Sequence, residues 1–220
     1  RPGFAQAAKP NIVFILADDL GYADVSCYGR REYTTPNIDR LAIEGLKFMQ
    51  AYSNSASCSP TRVGLATGRY QMRLEVGLEE PINPTTPKGV GLPPSHPTLA
   101  SLLKKAGYRT SLVGKWHMGN DSSPRPGYDH WVSFKGQGKL VDPVLWQNGS
   151  EHQVEGYMTD ILNARAVEFV TKKRAQPFAL FFAHKAVHPD LAQNASGGID
   201  ASSIGGYTLP ERHRDLYTGM

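Results

Sequence analysis

Four short stretches hold the side chains with the most chemistry in them. Asp18 and Asp19 are adjacent carboxylates. Such a pair repels unless a cation lies between its members, and hard oxygen ligands of this kind select Ca²⁺ or Mg²⁺. The plainer reading is a solvated acidic turn ahead of Gly21. In Cys58-Ser59-Pro60-Thr61-Arg62 the proline suits a first helical turn, so Cys58 stands near a helix amino end, where the dipole and free N–H groups attract an anion. Arg62 is one turn further on the same face, and its guanidinium matches a tetrahedral oxyanion; a structural cysteine with a surface arginine is the competing reading. Lys115 and His117 flank Trp116, and alternate residues of an extended segment point the same way, which aims an ammonium and an imidazole at one place. Exposed Lys and His around a packed Trp is the alternative. His184, Lys185 and His188 together can supply a proton to a leaving group, or form an ordinary polar loop.

The elements between these stretches decide whether they meet. Asn11 to Ala17 is a continuous apolar run and predicts a buried strand. Thr35-Pro36 opens a helix with Ile38, Leu41 and Ala42 on one face and Gly45 as its stop. Leu46 to Tyr52 alternates apolar and polar residues and predicts a strand; Cys58 to Thr67 predicts a helix ended by Gly68. Thr98 to Ala106 is a helix and Tyr108 to Gly114 a strand. Tyr157 to Lys173 is the clearest helix, with Met158, Ile161, Leu162, Ala166, Phe169 and Val170 along one side, and Pro177 to His184 is a buried strand. The Pro- and Gly-rich segments 77–97 and 119–150 read as irregular walls of a cleft, and 193–206 as a mobile Gly/Ser tail. Alternating strands and helices predict an α/β fold, a large, mostly parallel sheet flanked by helices. Ligands of such sheets sit beyond the carboxyl ends of the strands. That rule brings Asp18, Asp19, Cys58, Lys115, His117, His184 and His188 to one edge.

Composition removes several classes of function. The 220 residues carry 24 Lys and Arg against 20 Asp and Glu, a net +4, which gives no reason to expect a nucleic-acid groove or a basic membrane anchor. No apolar run approaches the ~20 residues of a membrane helix. Two cysteines, Cys27 and Cys58, make neither a disulfide scaffold nor a cysteine zinc site. No phosphate-binding Gly loop, dinucleotide turn or H-E-x-x-H helix is present. Residues 1–9, with Ala5-Gln6-Ala7, read as the remnant of an export signal and point to the periplasm or the cell exterior. Asn148-Gly149-Ser150 and Asn194-Ala195-Ser196 match glycosylation sequons, which are common by chance.

Taken together, the four stretches resemble a type I sulfatase of the alkaline-phosphatase superfamily. Pro10-Asn11-Ile12-Val13 through Asp18-Asp19-Leu20-Gly21 is similar to the family's first strand and metal loop. Cys58-Ser59-Pro60-Thr61-Arg62 resembles its C-x-P-[ST]-R signature, with Thr61 where Ser is commoner. Gly114 to Gly119 resembles the G-K-W-H-x-G box, and His184 to Pro189 the later histidine segment with His188 in register. The resemblance implies an alkaline-phosphatase-like fold and hydrolysis of sulfate monoesters, with phosphonate monoester or phosphodiester hydrolysis, or a catalytically silent fragment, as the alternatives. It implies that Cys58 is oxidised by a maturation enzyme to Cα-formylglycine, whose hydrate attacks sulfur. Asp18, Asp19 and residue 58 would hold Ca²⁺ or Mg²⁺. Arg62 would steady the hydrate, Lys115 bridge it to the sulfate, His188 give a proton to the departing alcohol and His117 take the proton that regenerates the aldehyde. A small-molecule or carbohydrate sulfate ester would be the substrate. Because family members are longer, with an Asp-Asn pair and a further Lys still to come, residues 10–220 are expected to be the amino-terminal part of the catalytic domain, with the carboxy-terminal part missing.

Overall fold

The computed structural model describes residues 8–74, 82, 86–87, 89–120, 123–190 and 206–216. The expected tail at 193–206 therefore lies almost wholly outside the described residues, as do Asn194 and most of the segment read as an export remnant.

Six strands form one sheet in the order β1-β6-β2-β3-β4-β5. These are β1 (Ile12–Leu16), β2 (Arg109–Gly114), β3 (His130–Ser133), β4 (Val144–Gln147), β5 (Ser150–Gln153) and β6 (Phe178–Ala183). β1, β6, β2 and β3 run parallel, while β4 and β5 close the far side as antiparallel strands. β6 sits between β1 and β2, so its sequence Phe-Ala-Leu-Phe-Phe-Ala is apolar on both faces. Phe178, Leu180 and Phe182 pack with Leu162, Ala166 and Phe169 of helix α4 (Met158–Thr171). On the opposite face Phe181 joins Trp116, Tyr128 and Trp131, against α2 (Cys58–Thr67) and α3 (Leu99–Lys105). The period of two along the strand thus feeds two separate cores.

Two expectations need correcting. Residues 46–52 form no strand: they are exposed throughout, and an alternating pattern has no ladder to join when no neighbouring edge meets it. The segment 119–150 is not irregular, because it contains β3, β4 and the start of β5. Its Gly-rich composition marks the turns between four-residue strands. The apolar side of α1 (Pro36–Glu44) is also unlike a core face, since none of its residues is buried and Leu41 is 63% exposed.

The Asn148-Gly149 sequon sits at the β4–β5 turn with both residues at positive φ, 51° and 99°. The Asn148 side-chain oxygen accepts the Trp131 N–H at 3.0 Å, so the residue has a structural job. Asn148→Ala is expected to lower stability by about 1–2 kcal/mol through the left-handed backbone and the orphaned donor, measured by urea unfolding.

At the business end of the sheet, Gly114 adopts φ 115°, and a Cβ there would fall 1.9 Å from the Ala183 carbonyl oxygen. Only glycine lets β2 pass this close to β6 while Lys115 N–H donates to that carbonyl at 2.8 Å. The close approach aims the next residues, Lys115 to His117, back over the strand ends.

Candidate active site

The carboxyl ends of β1, β2 and β6 meet the amino end of α2. Asp18, after β1, is 3% exposed and its carboxylate is held from two sides: Arg62 Nη2 donates to Oδ1 at 2.8 Å and Lys115 Nζ to Oδ2 at 2.7 Å. Arg62 also donates to the Lys115 carbonyl at 2.8 Å, and its buried Nε has no hydrogen-bond partner among the described residues. Burial works to raise the Asp18 pKa, but the Lys115 and Arg62 charges outweigh it and hold the carboxyl below its ordinary value. Burial pulls the Lys115 pKa down, and Asp18 only partly restores it.

Cys58, the first residue of α2, places Sγ 3.1 Å from Nδ1 of His117. His117 is 1% exposed, and its Nε2 lies 2.8 Å from the Ile82 carbonyl. That carbonyl can only accept, so Nε2 carries the proton and Nδ1 presents a lone pair to residue 58. Burial first, then Lys115 and Arg62, push the His117 pKa down to about 3. The imidazole is therefore neutral at ordinary pH, with its Nδ1 lone pair open to a hydrogen bond from residue 58. Ser59 ties the arrangement together, donating to the His117 carbonyl at 2.8 Å and accepting the Ile82 N–H at 3.1 Å.

The β6 loop closes the other side. Lys185 is completely buried and lies 2.7 Å from Nδ1 of His188, while His188 Nε2 is 3.6 Å from Asp19. Asp19 itself is largely exposed at a φ of 61°. Reciprocal backbone bonds link the two loops: Asp18 N–H donates to the Ala186 carbonyl at 2.9 Å and Val187 N–H to the Asp18 carbonyl at 2.8 Å.

Asp18, Asp19, Cys58, Arg62, Lys115, His117 and His188 thus share one site, as the strand-end rule anticipated. His184 does not join them: its Nδ1 accepts the Ala186 N–H at 2.8 Å and its ring packs edge-on to Phe182. Sequence reasoning missed Gln137, whose Oε1 accepts from Lys115 Nζ at 2.6 Å, and the Ile82 carbonyl. Both lie in the two segments read as cleft walls; nothing in their local spacing distinguishes them from neighbours.

Among the described residues no group of three His, Cys, Asp or Glu side chains is disposed around one metal position. Asp18 and Asp19 fit a hard divalent ion in kind, since both are carboxylates at one strand end. They fall short of the six to eight oxygens Ca²⁺ takes. Cys58 and Cys27 are both free thiols. No helix among the described residues is long and apolar enough to cross a membrane.

Known proteins with these features were found by comparison. The sulfatase family model matches residues 10–212. An N-acetylglucosamine-6-O-sulfatase of Bacteroides thetaiotaomicron is 35% identical over 192 residues, covering 86% of this chain and 32% of the relative. The chain therefore spans about a third of that curated relative's length. The solved structure of a protein named Ps i-CgsB, in complex with k-i-k-neocarrahexaose, superposes with a TM-score of 0.76 at 33% identity, covering 86% of this chain and 47% of that one. A Vibrio parahaemolyticus protein of the alkaline phosphatase superfamily, 21% identical with a TM-score of 0.53 over 98% of this chain and 46% of its own, shares the fold. The buried strand-end cluster, the fold and the match over residues 10–212 agree: the chain belongs to the sulfatase family.

Proposed function

We propose that the full-length protein hydrolyses sulfate monoesters of carbohydrates, with residue 58 as the nucleophilic position. The observation that carries this reading is the junction of Cys58 with the neutral, buried His117, beside an Arg62–Asp18–Lys115 bridge. Two cations and a helix amino end make a seat for a tetrahedral anion, and His117 Nδ1 is the base next to the attacking atom. Sulfatase names among the relatives support the sulfate ester, and the saccharide complex of the structural neighbour supports a sulfated sugar.

Converted to formylglycine, residue 58 would supply an aldehyde hydrate, a hydroxyl nucleophile that can later be released by elimination. Asp18, Asp19 and residue 58 would hold Ca²⁺, or Mg²⁺, and the ion would draw charge from a sulfate oxygen. In this reading Arg62 and Lys115 orient the anion, His117 accepts the proton beside residue 58, and His188 Nε2 faces the departing alcohol. A formylglycine-generating enzyme is the maturation partner. Residues 10–220 form the amino-terminal part of the catalytic domain, and the protein works in the periplasm or outside the cell.

The test measures the full-length protein, co-produced with the maturation enzyme, on paired aryl esters. Sulfate hydrolysis faster than phosphonate hydrolysis, with the residue-58 peptide at the mass of the aldehyde, is expected. A faster phosphonate reaction would reverse the assignment, and an intact thiol with no turnover would leave a silent protein.

A further inference from the structure

Gln137 touches the site through one end of its side chain only. It follows β3, whose parallel pairing with β2 brings its carboxyl end to the same edge as Lys115. The turn is firmly seated. Gly138 N–H donates to the Lys135 carbonyl at 3.1 Å, and a Cβ on Gly138 would fall 2.6 Å from the ring of the buried Phe134. Gln137 Oε1 accepts from Lys115 Nζ at 2.6 Å. A lysine nitrogen carries N–H donors whether charged or neutral, so this pairing sets the amide's orientation without regard to protonation. The Nε2 end is then turned away from Lys115. Gln137 is only partly buried, and among the described residues Nε2 donates to no protein group and is not sealed from solvent. Two N–H donors thus stand open beside the anion seat. Lys115 does not depend on the contact, because Asp18 holds it at 2.7 Å.

We propose that Gln137 is a specificity-determining residue whose Nε2 donates a hydrogen bond to the sugar that carries the sulfate. The inference rests on the carbohydrate-sulfate reading and names a residue that tells a sugar from other alcohols. On that reading residue 58, Arg62 and Lys115 face the sulfate itself. Gln137 extends the line of contacts from Arg62 through Asp18 and Lys115 by one more link, and that link is the partly exposed one. The carbon skeleton of a bound ester has to leave the buried seat by its open side, where the free amide end lies. A neutral amide suits this partner. It offers a donor to a hydroxyl, ring or acetamido oxygen without competing with Arg62 and Lys115 for anionic charge. A plain phenyl ring has no oxygen to place there, so it gains nothing from Nε2.

The test compares two esters on the full-length, converted protein. One is phenyl sulfate; the other is N-acetylglucosamine-6-sulfate or N-acetylgalactosamine-6-sulfate, whichever the wild type turns over faster. Gln137→Leu is expected to lower kcat/KM for both, through the lost Lys115 contact, and to lower the sugar-to-phenyl ratio about 10-fold, the size of one lost hydrogen bond. Remaining turnover of phenyl sulfate shows that the variant folds. An equal loss on both esters means that Gln137 acts only through Lys115, which overturns the proposal alone. Wild type that cleaves neither sugar sulfate overturns the carbohydrate reading, and the proposal with it. Nitrogen-15 NMR of the Gln137 side-chain amide, assigned by its absence from the variant, reads the contact without turnover. Saturating unsulfated sugar is expected to shift this signal, and inorganic sulfate to leave it nearly in place. A shift with sulfate alone, or with neither, overturns the proposal.

Discussion

Cys58→Ala is expected to reduce sulfate-ester turnover by the full-length protein about 10⁴-fold or more, the scale on which removal of a catalytic nucleophile is felt. The rest of the site remains able to bind the anion: Arg62, Lys115 and the first turn of α2 keep their places, and Asp18 still bridges the two cations. Substrate binding should therefore change far less than turnover. The thiol offers a sharper version of the same test. Unconverted protein has His117 Nδ1 3.1 Å from Sγ, so the sulfur stands where the nucleophile belongs and can attack once it loses its proton. The product is an S-sulfo cysteine with no neighbouring hydroxyl to expel sulfate. Unconverted protein should release at most one alcohol per molecule and stop, whereas converted protein turns over. Rapid-mix kinetics on both preparations checks this, and steady turnover by the thiol form would remove the need for conversion.

The second large effect is on stability. Asp18→Asn is expected to cost about 3–5 kcal/mol, the usual penalty for removing one member of a buried ion network and stranding its partners. The partners here are Arg62, 5% exposed, and Lys115, 1% exposed. Denaturant unfolding with a metal chelator present isolates this term from any bound cation. The sign with pH follows from the depressed Asp18 carboxyl. The stabilisation is complete above the ordinary pKa of 3.8 and is lost as pH falls through the lower folded value. Wild type should therefore lose its advantage over the variant in acid. A difference below about 1 kcal/mol at neutral pH would show that the network contributes little.

Much of this site is legible before any coordinates. β1 and β6 announce themselves as apolar runs, β2 as the strand from Tyr108 to the Gly114 stop, each followed at once by charged or imidazole side chains, and the parallel-sheet rule then gathers those groups. α2 is legible for a local reason, a proline in its first turn and Gly68 at its end. What escapes notice depends on long-range partners. Gln137 reaches Lys115 from a turn 22 residues away, and the contact follows from where β3 ends rather than from any pattern around residue 137. The Ile82 contribution is a backbone carbonyl, which every residue possesses, so no side-chain type marks it. The 46–52 error has the opposite cause: alternation is local, but a strand exists only when a neighbour accepts its backbone bonds. His184 fails similarly, since two histidines in one loop look equivalent until the chain's direction sends one ring against Phe182.

The paired amide bridges between Asp18 and the Ala186–Val187 stretch have a practical meaning for protein engineers. Transplanting the histidine segment into another scaffold, to change which alcohol is released, would sever its anchorage unless the Asp18–Asp19 loop travelled with it. Libraries that diversify both segments as one unit should yield more functional clones than libraries that shuffle them independently.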